Sequence, residues 1–239
     1  MLADSRDALT KSGSLSREVH LPATSLYGLL EFIEGELPRW RNHPDRKHET
    51  SEPTLTAQLC SHLTSAARHS PGWDFLQFRT EVPDEKQKGR KIDLAAAPCG
   101  ATVCVEGRRH TIFDTLLPIE CKRLPTPKEK NRDEREYVFN RYGTTGGIQR
   151  FKAGHHAAAH KLGAMIAYVQ EETIVVWNER VAEWIKELAE SGEPGWSAQD
   201  LLHLEHGDPA QRIAVLRSLH SRDSGLQDIE LRHLWLSMN

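Results

Sequence analysis

Glu120 and Lys122 stand two residues apart at the end of the apolar run Leu116-Leu117-Pro118-Ile119. Side chains alternate along a strand, so this spacing sets the carboxylate and the amine on one face and turns Ile119 and Cys121 into the core. That pairing suits metal-assisted hydrolysis, but a divalent cation at a phosphodiester takes several hard oxygen ligands from separate elements. Asp93, between Ile92 and Leu94 near the polar start of a second strand-like run at 90–97, offers another carboxylate. Glu52 offers a third. The segment 52–63 carries Leu55, Leu59 and Leu63 at successive fourth positions with Pro53 near its first turn, which predicts a helix with Glu52 at its N-terminus. Taken alone, Glu-x-Lys also describes a solvent-facing ion pair that contributes little. The joint order, with an acid at a helix start, an acid in a strand, then an acid and a lysine in a later apolar strand, favours the site.

Glu52, Asp93, Glu120 and Lys122, followed by Gly147-Ile148-Gln149-Arg150-Phe151, resemble the PD-(D/E)XK, or restriction-endonuclease-like, nucleases over roughly residues 50 to 180. The resemblance implies an α/β fold with a mixed central β-sheet flanked by helices. It implies magnesium or manganese held by Asp93, Glu120 and the backbone carbonyl of Cys121, with Glu52 completing the shell. Lys122 would then position or help deprotonate the attacking water, and Gln149, on the helix after the third strand, would reach the site. Ile92 stands where the family name has proline, a position that supplies strand geometry and no chemistry. The likeness is greatest to small nucleases of bacterial restriction and anti-phage systems, which implies DNA as substrate and a helicase, ATPase or sensor subunit as partner. The chain carries no G-x-x-x-x-G-K-[ST] motif of its own. A catalytically silent nucleic-acid- or partner-binding subunit of the same fold is the alternative.

The run 148–162 predicts a helix with Ile148, Phe151, Ala158, Ala159 and Leu162 on one stripe and Gln149, His156 and His160 opposite. Arg150, Lys152, His156 and His160 are the expected nucleic-acid contacts. His156 and His160 have the spacing of a zinc pair, but no glutamate follows the first and no third ligand is evident, so exposed histidines on a nucleic-acid face fit better. His155 falls near the stripe and reads as a core histidine. Before this helix, Tyr142 to Gly147 holds three glycines and two threonine hydroxyls. Its N–H groups either meet a phosphate or form an ordinary glycine turn. The charged insert 125–147 mixes both signs and reads as a solvated loop or helix in preference to a DNA-gripping element.

These residues need a scaffold. Residues 1–20 read as a mobile lead-in and 24–37 as a helix closed by Pro38. Strands are expected at 75–82, 91–97, 101–105 and 110–124, with 106–109 as a hairpin turn. Further strands at 164–170 and 173–177 extend the sheet, 178–190 is an amphipathic helix, 198–220 is helical around a break at 207–209, and 229–236 is a closing strand. The expected organisation is one nuclease-like domain over 21–239, with its core at about 50–180 and an extension at 181–239.

The chain's 239 residues, 38% hydrophobic and 27% charged, suffice for one well-buried domain, and no run approaches the length of a membrane span. No apolar h-region lies in 1–17, so a cytoplasmic location is expected. A net charge of −3 gives no global attraction for nucleic acid, so any such contact must be a local patch. The four cysteines lie singly and read as core thiols. Trp177, Trp184, Trp196 and Trp235 fit either a homodimer or partner surface or, more commonly, a core.

Overall fold

Leu162–Val169 (β6) is buried at every position, as a strand covered on both faces must be. In the computed structural model, which describes residues 26–84, 88–100, 102–105, 107–130, 132–222 and 225–239, this strand lies at the centre of a mixed seven-stranded sheet. The other strands are β1 (Leu76–Pro83), β2 (Lys91–Pro98), β5 (Leu117–Leu124), β7 (His203–Asp208), β8 (Ile213–His220) and β9 (Ile229–Ser237), in the order β1-β2-β5-β6-β9-β8-β7. β5, β6 and β9 run parallel and the remaining pairs are antiparallel. β3 (Val103–Val105) and β4 (Arg108–His110) form a separate small ladder. Among the described residues there are four α-helices: α1 (Leu26–Arg41), α2 (Glu52–His69), α3 (Gly147–Lys152) and α4 (Ile174–Glu190). The expected α/β class with a mixed, helix-flanked sheet is what is found.

Alternation along β6 builds two cores. Ala164, Ile166 and Tyr168 join Leu29, Ile33, Leu55 and Leu59 of α1 and α2. Met165, Ala167 and Val169 join Ile148 and Phe151 of α3 and Val181 and Ile185 of α4. Each of the leucine, isoleucine, valine, methionine and phenylalanine side chains contributes about 1.5–3 kcal/mol on full burial. β5 follows the same rule, with Ile119 and Cys121 in the first core and Leu124 in the second. Glu120 and Lys122 therefore share the face of Leu124, toward α3. α2 begins as expected: Ser51 caps it by accepting the Thr54 N–H, Pro53 sits in the first turn, and Leu55, Leu59 and Leu63 are fully buried.

Several expectations are corrected. α1 continues through Pro38 to Arg41, because Trp40 is anchored in the first core and the Pro38 carbonyl still accepts the Asn42 N–H. The strand expected over 110–124 is interrupted where Asp114 accepts both the N–H and the hydroxyl of Thr111 in a turn. The β-branched run 173–177 starts α4, with Thr173 as its N-cap accepting from Val176 N–H, and does not extend the sheet. The region 198–220 is not helical beyond one 3₁₀ turn at Ala198–Asp200; it forms β7 and β8, and β8 is buried at Ile213–Leu216 and alternates from Arg217 to His220. The strand over 229–236 is present but lies inside the sheet, between β6 and β8.

The helix expected over 148–162 stops at Lys152, since Gly154 and Ala157 adopt positive φ (63° and 57°) and Arg222 holds the carbonyls of Ala157 and His160. The insert 125–147 is not a solvated loop, because Tyr137, Val138 and Phe139 pack in the second core and Asp133 is buried against Arg135 and Arg141. Trp177 and Trp235 are buried in that core, with Trp184 and Trp196 packed against it. Cys121 alone of the cysteines is fully buried, and Cys104 is exposed. The lead-in at 1–20 lies outside the described residues. Among those described, no helix is long and apolar enough to cross a membrane.

Candidate active site

The antiparallel pairing of β2 with β5 lays the start of one beside the latter half of the other, with the ladder running to Leu94 opposite Ile119. Just beyond it, the Asp93 side chain accepts the Cys121 N–H at 3.0 Å through Oδ2. Glu52, in the first turn of α2, accepts the Arg123 N–H at 3.0 Å through Oε2. Both carboxylates are thus fastened to the β5 backbone on either side of Lys122. Lys122 Nζ lies 3.0 Å from Glu120 Oε1, 3.3 Å from Glu52 Oε1 and 3.8 Å from Asp93 Oδ2. The four residues singled out by motif order converge on one ammonium group.

Their electrostatics differ. Burial would raise the Glu120 carboxyl, but Lys122, His156 and Arg150 outweigh it and hold the group ionised below the usual carboxylate range. Burial would lower Lys122, but Glu120, Glu52 and Asp93 keep its ammonium charged. Asp93 goes the other way. Burial and then the Glu120 charge push it up to about 7, against the pull of Lys122 and the Cys121 N–H. The Cys121 thiol is raised by burial and by Asp93, which keeps it protonated and unreactive.

Arg150 reaches the cluster, though not as a solvent-facing contact: its Nη1 donates to Glu120 Oε1 at 2.5 Å. His156 is 2% exposed, and its Nδ1 lies 3.3 Å from Glu120 Oε2, at ion-pair distance. Neither of these atoms has a hydrogen-bond partner among the described residues. His156 and His160 are therefore not exposed histidines on a helix face: both are buried, in the irregular segment that follows α3. His155, expected in the core, is half-buried. Lys152 is likewise corrected from nucleic-acid contact to buried partner of Asp200, at 2.5 Å. Gln149 is spent on the backbone, its Oε1 accepting the N–H groups of Gly146 (3.1 Å) and Asn140 (3.2 Å) as the cap of α3. The glycine turn has no N–H to offer a phosphate at its helix end, since those of Gly147, Ile148 and Gln149 donate to the carbonyls of Glu136, Tyr137 and Val138.

A second constellation lies behind α3, formed by residues too far apart in sequence to suggest a grouping. Trp235 Nε1 donates to Tyr137 Oη, and Tyr137 meets His233 Nδ1, each at 2.7 Å. His233 Nε2 meets Ser218 Oγ at 2.7 Å, Ser218 meets His220 Nε2 at 2.6 Å, and His220 Nδ1 meets Asp200 at 2.6 Å. A donor-only indole at one end and an acceptor-only carboxylate at the other fix every proton between: His233 carries its proton on Nε2 and His220 on Nδ1. Burial holds both imidazoles below their ordinary pKa, consistent with neutral rings. Ser218, His220 and Asp200 have the order of a nucleophile, base and orienting acid. At 1%, 0% and 2% exposure they admit no substrate and serve as a structural chain.

Glu52, Asp93 and Glu120 are hard oxygen donors, and the unpartnered Glu120 oxygen leaves a lone pair available, so the donor set fits Mg²⁺ or Mn²⁺. Among the described residues no three His, Cys, Asp or Glu side chains form a ready-made metal cage. Magnesium does not require one, since it rests on one or two carboxylates and keeps several waters. Comparison of the chain with protein-family models, with curated proteins and with solved structures finds no match in any of the three.

Proposed function

We propose that this chain is a metal-dependent nuclease with a restriction-endonuclease-like core, hydrolysing phosphodiester bonds in nucleic acid, with DNA as the substrate the family resemblance favours. The observation that carries the reading is the meeting of Glu52, Asp93 and Glu120, from a helix start and two strands, around Lys122 Nζ within 3.0–3.8 Å. Three clustered acids cost stability and demand a cation, which is what a divalent-ion site requires of its ligands.

Asp93 and Glu120, with the Cys121 carbonyl, would hold Mg²⁺ or Mn²⁺, and Glu52 would complete the shell directly or through water. The bound ion would polarise the scissile phosphate and lower the pKa of water. Asp93 is held in place by the Cys121 N–H, just past the last β2–β5 pair at Leu94 and Ile119. Lys122, kept charged by its neighbours, orients the attacking water and offsets charge on the phosphate in the transition state. A role in restriction or anti-phage defence, beside a helicase, ATPase or sensor subunit, follows from the resemblance.

The test is cleavage of supercoiled plasmid, linear duplex, single-stranded DNA and RNA with Mg²⁺, Mn²⁺ or EDTA. Wild type should cut at least one substrate only with metal, and Glu120→Ala and Lys122→Ala should each lose about 10²–10³-fold in rate. Wild-type cutting by Lys122→Ala would falsify the assignment. Full burial of Glu120 under two cations favours a second reading, a silent binding subunit in which the acids form only an ion-pair network. That reading expects nucleic-acid binding indifferent to EDTA and no thermal stabilisation by metal.

A further inference from the structure

Glu120 is already neutralised before any metal arrives. Lys122 Nζ lies 3.0 Å from its Oε1 and Arg150 Nη1 lies 2.5 Å from the same atom, while the carboxylate itself is wholly shielded from water. A divalent ion placed against Glu120 would crowd a third positive group into this pocket, so one resident cation opposes metal binding unless it leaves.

The two residents are not equally free to go. Lys122 is held by three carboxylates and is only 5% exposed. Arg150 has one carboxylate partner, its side chain is 19% exposed, and its buried Nε has no hydrogen-bond partner among the described residues. Beyond it lie further cations. Arg90, His156 and Arg150 add to burial in lowering the pKa of the neighbouring His155, with Asp84 opposing them. Arg90, from the turn entering β2, reaches Thr144 Oγ1 of the glycine-rich loop at 3.4 Å. An anion approaching the exposed part of Arg150 would therefore meet Arg90 as well.

We infer that Arg150 is an exchangeable counter-ion, which neutralises Glu120 in the unliganded protein and passes to a nucleic-acid phosphate on binding, leaving Glu120 to the divalent ion. The inference rests on the nuclease reading above and deepens it: metal and nucleic acid bind cooperatively, and Arg150 carries the coupling. Linkage makes that coupling reciprocal, so the factor by which nucleic acid tightens metal binding is the factor by which metal tightens nucleic acid. The guanidinium suits the exchange, since its planar fork serves carboxylate and phosphate alike.

The test is Mn²⁺ binding by calorimetry to wild type and Arg150→Gln, each with and without a non-cleavable phosphorothioate duplex. The duplex should tighten Mn²⁺ binding to wild type about tenfold. Arg150→Gln alone should bind Mn²⁺ about tenfold more tightly than wild type alone, and the duplex should add little. Arg150→Lys, which keeps the charge, should bind metal alone as wild type does. Equal or weaker Mn²⁺ binding by Arg150→Gln overturns the inference, and so does duplex-independent Mn²⁺ binding by wild type, a measurement that needs no variant. In either case, loss of Mn²⁺ binding on Asp93→Asn shows that the nuclease reading survives. Absence of Mn²⁺ binding in wild type and Arg150→Gln, with and without duplex, overturns both.

Discussion

Asp93 and Glu120 are carboxylates in one cluster with opposite titration behaviour. Glu120 has cations against its oxygens and stays ionised; Asp93 is dominated by burial and by the Glu120 charge, and its carboxyl rises from the ordinary 3.8 to about 7. Between those values the folded state binds more protons than the unfolded, so this group's contribution to stability is full below about 4 and is lost as the pH rises through about 7. At pH 8 the ionised Asp93 therefore burdens the metal-free protein. Asp93→Asn keeps an oxygen for the Cys121 N–H and removes the charge, and at pH 8 should raise Tm by about 2–4 °C, corresponding to about 1 kcal/mol. The figure is kept below the full pKa shift because the side chain retains 28% of its surface in water. The gain should disappear near pH 4, and the variant should gain nothing from Mg²⁺. A lower Tm for Asp93→Asn at pH 8, measured by calorimetry in EDTA, would show that its charge is favourably placed without a metal.

α3 is only six residues long, too short to be stable alone, and its position comes from its docking. Its first N–H groups are taken by the 136–138 carbonyls, and the backbones approach so closely that side chains have no room. A Cβ on Gly147 would fall 2.4 Å from Met165 Cε and 2.7 Å from the Tyr137 carbonyl, and 3.6 Å from Lys122 Cγ. Gly147→Ala should therefore cost about 1–3 kcal/mol in urea unfolding. By moving α3 it should also shift Arg150 and lower any nuclease rate. Gly143, in the same loop, has no atom within 4 Å of a Cβ and an ordinary φ, so Gly143→Ala should change stability by less than about 0.5 kcal/mol. Equal effects of the two substitutions would mean that the loop tolerates or resents alanine for reasons unrelated to this contact.

Across the whole molecule, the chain from Trp235 to Asp200 ties β8 and β9 to the insert after β5 and, through Lys152, to α3. Burial holds its two imidazoles below 6.5 when folded, His233 well below, and they titrate near that ordinary value when unfolded. Below about pH 6.5 the unfolded state takes up protons that the folded state refuses, so stability falls with pH by up to about 1.4 kcal/mol per unit for each histidine. Asp93 acts in the opposite sense over part of this window, so a single variant isolates the effect. His233→Gln should be less stable than wild type at pH 7.5, but the gap should narrow at pH 5.5 in urea titrations. A constant gap would mean that His233 is protonated in the fold or that the chain is not neutral.

The Glu52, Asp93, Glu120 and Lys122 set was legible in the chain because local rules suffice for it. Strand alternation puts Glu120 and Lys122 on one face, the leucine spacing with Pro53 places Glu52 at a helix start, and an acid between apolar neighbours marks Asp93. The α/β class followed from the same periodicities. The sequence is least informative where local propensity competes with capping or packing. The β-branched start of α4 is set by a local cap, Thr173 accepting the Val176 N–H, whereas the strands β7 and β8 and the early end of α3 depend on partners farther along the chain, the β8–β9 ladder and Arg222 holding the Ala157 and His160 carbonyls. For the same reason only the tertiary structure assigns Arg150 to Glu120 and Lys152 to Asp200. Periodicity records which face a side chain takes, whereas its partner across that face is set by chain crossings that bring residues 30 to 100 positions apart into contact.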